Sequence, residues 1–475
     1  MDFIGREEEL RFLEEKYSSK KGELVILYGR RRVGKTETLR RFCRGKKHIF
    51  HSCAETSDRD QLAAFGTRIL AEHPAASRYL TRFENWETAF RSIAELPGAE
   101  KKLLVIDEFP YMVRGNRSIP SVLQNLWDAE LKDRNVMIVL CGSAMSFIEK
   151  EILAEKNPLY GRATGILKML PMDFYDAARF FPNKSPADLI ALYSILGGVP
   201  YYLSQFDPSA SVETNVCDHI LRRGAVLYNE IEFLVRQELR EPALYNSVIE
   251  AVALGNTRLN EIHQKTQIER SKHSVYLGNL AEIGLIRREL PVSESPKGEA
   301  NVQRGLYRIT DPFFRFWYAF VFPNVSELEY GDPKSAYRHL VRPRLDWFVS
   351  LAFEDVCRNY LRRLNRAERL PFYFARIGRW WNKTAEIDVM ATDVRRENLL
   401  LGECKFRSAA MTPADLEKLR AKFQTDGWKE VYYYLFSKSG FTPALKKIAA
   451  NENVILVDLP RLVREPRRGA KPHGQ

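Results

Sequence analysis

Uninterrupted apolar runs punctuate the first third of the chain. Glu23-Leu-Val-Ile-Leu-Tyr28, Lys102-Leu-Leu-Val-Ile-Asp107 and Asn135-Val-Met-Ile-Val-Leu-Cys-Gly-Ser143 each set four or more successive apolar residues between polar ends. Runs this short, without polar alternation, suit parallel strands buried on both faces. Glu37-Thr-Leu-Arg-Arg-Phe-Cys43 instead places its apolar residues at helical spacing. After Pro171 the pattern turns helical through about residue 238, with helices expected over Asp173 to Phe181, Pro186 to Leu196 and around Gly224 to Leu239. From Pro242 a different unit begins. Helices are expected over Ala243 to Leu254, over Thr257 to His263 with Thr257 as N-cap, and over Glu269 to Ile283, ended by Gly284. Leu285 to Leu290 and Gly305 to Thr310 flank a polar Ser/Lys/Gly loop and predict a hairpin. Three helices and a hairpin make a winged helix-turn-helix. Near the C-terminus, Glu386 to Met390 and Leu399 to Phe406 read as strands joined by the charged turn Asp393 to Asn398. A helix over Thr412 to Thr425 and a strand over Lys429 to Phe436 follow.

Composition narrows the class. The 475 residues are enough for about three domains. A hydrophobic content of 45% excludes wholesale disorder. The net charge of +12 favours a polyanionic partner. Six scattered cysteines show no zinc-like or Cys-x-x-Cys spacing, which fits a reducing cytosol. The N-terminus lacks an apolar signal core, and no apolar run approaches the ~20 residues of a membrane span. The expectation is a cytoplasmic protein with no membrane partner.

The first apolar run leads into Gly29-Arg30-Arg31-Arg32-Val33-Gly34-Lys35-Thr36, two glycines four residues apart followed by Lys and Thr. This is the Walker A pattern, in the strand, loop and helix order it needs. Glycine lets backbone N–H groups close around phosphates, and the helix that follows points its positive end at the same anion. Lys35 is then expected to reach the β- and γ-phosphates of ATP, and the Thr36 hydroxyl to hold Mg2+. Asp107, ending the second run, suits a Walker B carboxylate that supports the metal through water. Glu108, one residue on, is placed to orient the attacking water as general base. Ser143, at the tip of the third run, is the candidate for a γ-phosphate sensor, beside the alternative of an ordinary strand-ending serine.

A second constellation lies near the C-terminus. Side chains alternate along a strand, so Glu403 and Lys405 share a face, and antiparallel pairing brings Asp388 alongside. This is the layout of the PD-(D/E)XK nuclease fold. Asp388, Glu403 and the Cys404 carbonyl would form an all-oxygen site for Mg2+ or Mn2+, with Lys405 orienting water or neutralising charge. Glu354, on a helix expected upstream, matches an extra acid that this fold often carries. The alternative is a set of ion pairs across a hairpin. In the third winged helix, Glu269, Arg270, Lys272, His273 and Tyr276 are candidates to face DNA, against the alternative of a protein contact or connector. Phe313, Phe314, Phe316, Trp317 and Tyr318 are read as core rather than as base-stacking platforms.

Together these motifs resemble an archaeal-type AAA+/STAND-like ATPase family with a C-terminal nuclease-like domain. Phe3 to Leu10 resembles the segment that packs by the adenine, and Asn157 to Arg162 and Leu196 to Pro200 resemble later motifs. The resemblance implies that Arg162 senses or completes the γ-phosphate site, in cis or across a subunit interface. The alternative for Arg162 is a loop arginine paired with a surface acid. No clear sensor 2 arginine is present, which counts against ring assembly. The expected fold is α/β multidomain: a P-loop parallel-sheet core over residues 1–170, a helical lid over 171–238, a winged helix-turn-helix over 239–320, an α/β restriction-endonuclease-like domain over 321–460 and a flexible basic tail over 461–475. The expected function is ATP binding and hydrolysis coupled to action on DNA, with metal-dependent cleavage by the C-terminal domain. The alternative is a nucleotide-dependent switch or DNA-binding regulator with an inactive nuclease-like domain. A protein partner or a homo-oligomer is compatible with either.

Overall fold

Strand β1 (Glu23–Tyr28) is buried along its whole length because it lies inside a parallel sheet. The sheet contains β2 (His48–Ser52), β3 (Lys102–Asp107), β4 (Val136–Gly142) and β5 (Gly165–Lys168), in the order β2-β3-β4-β1-β5. Every pairing in it is parallel. The alternation of side chains divides each central strand between two cores. Leu24, Ile26, Leu104, Ile106, Ile138 and Leu140 pack on one face. Val25, Leu27, Leu103, Val105, Met137 and Val139 pack on the other, with Leu39 and Phe42 of the Lys35–Cys43 helix.

The computed structural model describes residues 3–73, 76–239, 241–293 and 305–464. The chain forms two units, Met1–Pro171 with Val199–Tyr201, and Met172–Gly198 with Tyr202–Gln475. The segment expected as a lid does not form a unit of its own. Phe174, Tyr175 and Ile190 share a core with Val349, Phe353 and Leu361, so apolar burial ties Met172–Gly198 into the second unit.

In the second unit, helices Pro242–Ala253, Leu259–Thr266 and Arg270–Glu282 precede β6 (Ile286–Glu289) and β7 (Leu306–Ile309), an antiparallel pair. Most of the polar loop expected between those strands lies outside the described residues. Arg258, not Thr257, is the N-cap of the second helix. Glu261 Oε2 takes the backbone N–H of both residues at 3.0 Å, so the carboxylate supplies the cap. In the third helix His273 and Tyr276 are buried, which removes them from any groove-facing role. His273 Nε2 lies 2.8 Å from Thr266 Oγ1, and the Tyr276 hydroxyl donates to Glu241. Phe313, Phe314, Phe316, Trp317 and Tyr318 are all core residues.

A five-stranded sheet of β8 (Arg376–Trp381), β9 (Glu386–Thr392), β10 (Asn398–Lys405), β11 (Glu430–Ser437) and β12 (Val454–Asp458) follows, in the order β12-β11-β10-β9-β8. The β8-β9 and β9-β10 pairs are antiparallel, and β10-β11 and β11-β12 are parallel. Leu400 faces the core built on the Leu345–Arg366 helix, while Leu399 and Leu401 face the opposite core. The stretch expected to open a flexible tail instead begins within a helix, Leu459–Val463. Leu462 is buried, and the Tyr175 hydroxyl donates to its carbonyl at 2.9 Å, which fixes that turn. Residues 465–475 lie outside the described residues.

Candidate functional site

The first unit gathers its polar groups at the C-terminal ends of β1, β3 and β4. Leaving β1, the chain passes Gly29, where an added Cβ would lie 2.3 Å from the Met169 carbonyl oxygen. Only glycine fits under that carbonyl. The loop then runs through half-buried Arg30, Arg31 and Arg32 to buried Val33. Arg32 and Gly34 both take left-handed backbone, at φ 69° and 91°. The Arg32 guanidinium stacks 4.1 Å from the centre of the Tyr201 ring. Lys35 opens the following helix and is buried, with Nζ donating to the Gly29 carbonyl at 2.8 Å and the Arg30 carbonyl at 3.0 Å. Burial pulls its ammonium below the usual range, opposed by Cys141, Glu108 and Asp107.

The Thr36 hydroxyl donates to Asp107 Oδ2 at 2.7 Å. Glu108, in left-handed backbone at φ 52°, donates its N–H to Asp107 Oδ1 at 3.1 Å. Its Oε2 accepts the Ser143 hydroxyl at 2.9 Å. Lys35, Thr36, Asp107, Glu108 and Ser143 thus form one connected neighbourhood. Arg162 is engaged elsewhere, donating to Asp128 through Nη2 at 3.0 Å on the surface.

Sequence reasoning passed over two residues that brace this loop. Arg6, buried and at φ 68°, donates to the Val33 carbonyl at 2.6 Å, the Leu170 carbonyl at 2.8 Å and Glu9 at 2.7 Å. Gly5 and Arg6 are both left-handed, which turns the segment carrying the Arg6 side chain into the helix that follows. Tyr201 sits just beyond the glycine motif Gly197 to Pro200, with no periodicity tying it to the loop.

The second unit holds the other constellation. Asp388 on β9 reaches β10, its Oδ2 accepting the Cys404 N–H at 2.8 Å. Glu403 and Lys405 share a face of β10, with Lys405 Nζ 2.5 Å from Glu403 Oε1. Lys422, which no motif marked, takes Glu403 Oε2 at 2.6 Å. Burial, and then the Glu403 charge, raise the Asp388 carboxyl above the usual carboxylate range. Burial works against the Lys405 charge, but Glu403 overrides it and holds that ammonium above its ordinary value.

Glu354 lies on the Leu345–Arg366 helix, between arginines. Its Oε2 is 3.2 Å from Arg379 Nε and 3.7 Å from Arg358 Nη1. Burial and the Asp388 charge raise its carboxyl, against the pull of Arg358 and Arg308. Arg358 also donates to the Asp388 carbonyl at 2.8 Å and to Asp355 at 2.5 Å, tying this helix to β9.

Among the described residues, no three or more His, Cys, Asp or Glu side chains are arranged to hold a metal ion. The donors at both places are nevertheless oxygens. Hydroxyl and carboxylate meet at Thr36–Asp107, and Asp388 accepts the N–H of Cys404, the residue after Glu403, a carboxylate set that suits a hard cation that keeps much of its water. Among the described residues, no helix is long and apolar enough to cross a membrane.

Comparison with known proteins agrees with the geometry of the first unit. The family model described as "ATPase domain predominantly from Archaea" matches residues 3–206. A second, described as "Archaea bacterial proteins of unknown function", matches residues 317–419. An uncharacterized protein of Methanocaldococcus jannaschii is 32% identical over 426 residues, 88% of this chain and 90% of that protein. The chain belongs to this predominantly archaeal ATPase family. An uncharacterized ATP-binding protein of the same organism is 56% identical over 45 residues, 10% of this chain and 76% of that protein. A Walker-type ATPase of Pyrococcus abyssi shares the fold, with a TM-score of 0.50 at 22% identity over 67% of this chain and 96% of that one. As a member of the family, this chain binds ATP at an ATPase-type parallel-sheet core, and it joins to that core a separate C-terminal α/β domain.

Proposed function

We propose that the chain hydrolyses ATP and uses its nucleotide state to control a metal-dependent nuclease site in the second unit. Its domains are those expected from the sequence, except that the lid segment lies mostly within the second unit. At the first site, Lys35 neutralises the β- and γ-phosphates, backbone N–H groups of Gly29 to Thr36 cradle them, and Glu108 orients water for in-line attack. Thr36 and Asp107 hold Mg2+, which supplies charge neutralisation on the phosphates. Ser143 fixes the Glu108 carboxylate, and Arg162 reaches a phosphate only after leaving Asp128.

At the second site, Asp388, Glu403 and the Cys404 carbonyl hold Mg2+ or Mn2+, whose chemistry is to lower the pKa of bound water. Lys405 positions that water or offsets phosphate charge, and Glu354 adds a further acid when freed from its arginines. DNA is the proposed polyanion, in agreement with the +12 net charge. The observation that carries this reading is the placement of Asp388 against the Cys404 N–H, directly beside Glu403.

The test is cleavage of plasmid and short DNA by the wild type and Lys405→Ala, with Mg2+ or Mn2+, with ATP, without it, and with a non-hydrolysable analogue. Cleavage lost in the variant supports the reading, and its nucleotide dependence measures the control. No cleavage under any condition sinks it. A second reading, a nucleotide-dependent switch that binds DNA without cutting it, is favoured by one observation: Glu354 is held by Arg358 and Arg379.

A further inference from the structure

Glu403 is neutralised twice. Its side chain is only 6% exposed, yet each carboxylate oxygen meets a different ammonium, Lys405 on Oε1 and Lys422 on Oε2. The two lysines are not equivalent. Lys405 is two residues along the same strand, so the backbone fixes its position beside Glu403. Lys422 comes from another element, the residue that ends the Pro413–Ala421 helix, and reaches Glu403 on a flexible four-carbon stem. That helix end also favours a cation.

The other cations around the end of β10 and this helix are engaged elsewhere. Arg407 pairs with Asp415, Lys438 with Asp346, and Arg420 with Glu417 and Glu452. Among the ion pairs described, Lys405 and Lys422 are the cations whose partner is Glu403, and of these two Lys422 is the one that arrives from another element.

We propose that Lys422 is an exchangeable counter-cation of the Asp388–Glu403 site. It holds Glu403 Oε2 in the protein alone, and it turns to a backbone phosphate of a bound nucleic acid once a divalent cation takes that carboxylate. This rests on the reading of Asp388 and Glu403 as metal ligands. The charges favour such an exchange. Asp388, Glu403, Lys405 and Lys422 sum formally to zero, so a divalent cation leaves the cluster two charges positive. A phosphodiester, with its single negative charge, offsets half of that excess. Lys422 therefore competes with the cation and cooperates with the phosphate.

The full chain is titrated with Mn2+ by calorimetry as wild type, Lys422→Ala, Lys422→Gln and Asp388→Asn. Binding of a short labelled DNA duplex is followed by anisotropy in Ca2+ at several salt concentrations. Removing the competitor in Lys422→Ala and Lys422→Gln raises Mn2+ affinity, by about tenfold if the lost contact is worth ~1.4 kcal/mol. The same variants weaken duplex binding in Ca2+ and lower its salt slope by about 1. Lys422→Arg restores the duplex affinity. Mn2+ affinity unchanged or weakened in both variants, while Asp388→Asn abolishes binding, overturns the role of Lys422 and leaves the metal site standing. Mn2+ binding that Asp388→Asn does not alter overturns the site and the proposal with it.

Discussion

The Ser143 hydroxyl is bonded to the Glu108 carboxylate at 2.9 Å, joining the tip of β4 to the end of β3. An acid held this way has one free oxygen to offer water. Glu108→Gln keeps the shape and the hydrogen bond but removes the base. Turnover of ATP is expected to fall on the order of a hundredfold or more, with ATP binding nearly unchanged. Ser143→Ala releases the carboxylate and lowers turnover by about threefold to tenfold, since one hydrogen bond is worth ~1 kcal/mol. Steady-state ATPase assays beside nucleotide titrations decide it, and an unaltered rate in Glu108→Gln removes Glu108 from the mechanism.

Arg6 holds the Val33 carbonyl in the middle of the phosphate-binding loop. Arg6→Ala leaves that carbonyl and the one on Leu170 without their donor inside the protein. The expected cost is about 2–3 kcal/mol of stability, with weaker ATP binding because the loop is no longer held. Lys is a poor substitute, since one ammonium does not reproduce the fork that reaches both carbonyls. Denaturant unfolding and nucleotide titration measure the two effects. ATP affinity that survives in Arg6→Ala shows that the loop holds its shape without the clamp.

Gly29 tests close approach and not backbone conformation. A methyl group there meets the Met169 carbonyl at 2.3 Å, so strand or loop must shift. Gly29→Ala is expected to cost about 1–3 kcal/mol and to weaken ATP binding. A crystal structure of the variant with the loop unmoved would contradict it.

His51 predicts an acid-sensitive core. Its ring is buried edge-on to Phe65, 5.1 Å between centroids, and Nε2 has no hydrogen-bond partner. Burial first, and then Arg68, pull its pKa down to about 4. In the unfolded chain the value is about 6.5. Above the unfolded value both states are neutral, and His51 makes no difference. As pH falls towards 4 the unfolded chain gains a proton that the folded chain refuses, so stability is lost. The penalty is complete below the folded value and is on the order of 3 kcal/mol. His51→Phe should flatten the wild-type fall in denaturation midpoint between about pH 7 and 4.5. Parallel curves for the two proteins would show that His51 is not the group responsible.

How much of this was legible in the sequence depended on where each element lies. The three inner strands of the first sheet declared themselves because burial on both faces leaves no room for polar residues. Its two edge strands did not. Strand β2 carries His48, His51 and Ser52, and β5 is four residues long with Ile166 and Lys168 exposed. The phosphate loop and its carboxylates were legible because the chemistry needs them at fixed spacing. Arg6, Tyr201 and Lys422 were not, because each arrives from a distant segment with no spacing to betray it. In the Arg270–Glu282 helix, polarity misled: His273 and Tyr276 are polar by type but satisfied inside the fold.

The strand order β2-β3-β4-β1-β5 has a consequence for synthesis of the chain. β1 is made first, yet both of its neighbours, Val136–Gly142 and Gly165–Lys168, are made much later. At ~5–20 residues per second, an apolar strand leaves the ribosome on the order of ten seconds before it has anything to pair with. The nascent chain must shelter Leu24 to Leu27 through that interval. A pause in translation before Val136 would prolong that exposure, whereas one well after Lys168 would fall on a sheet whose strands have all been made.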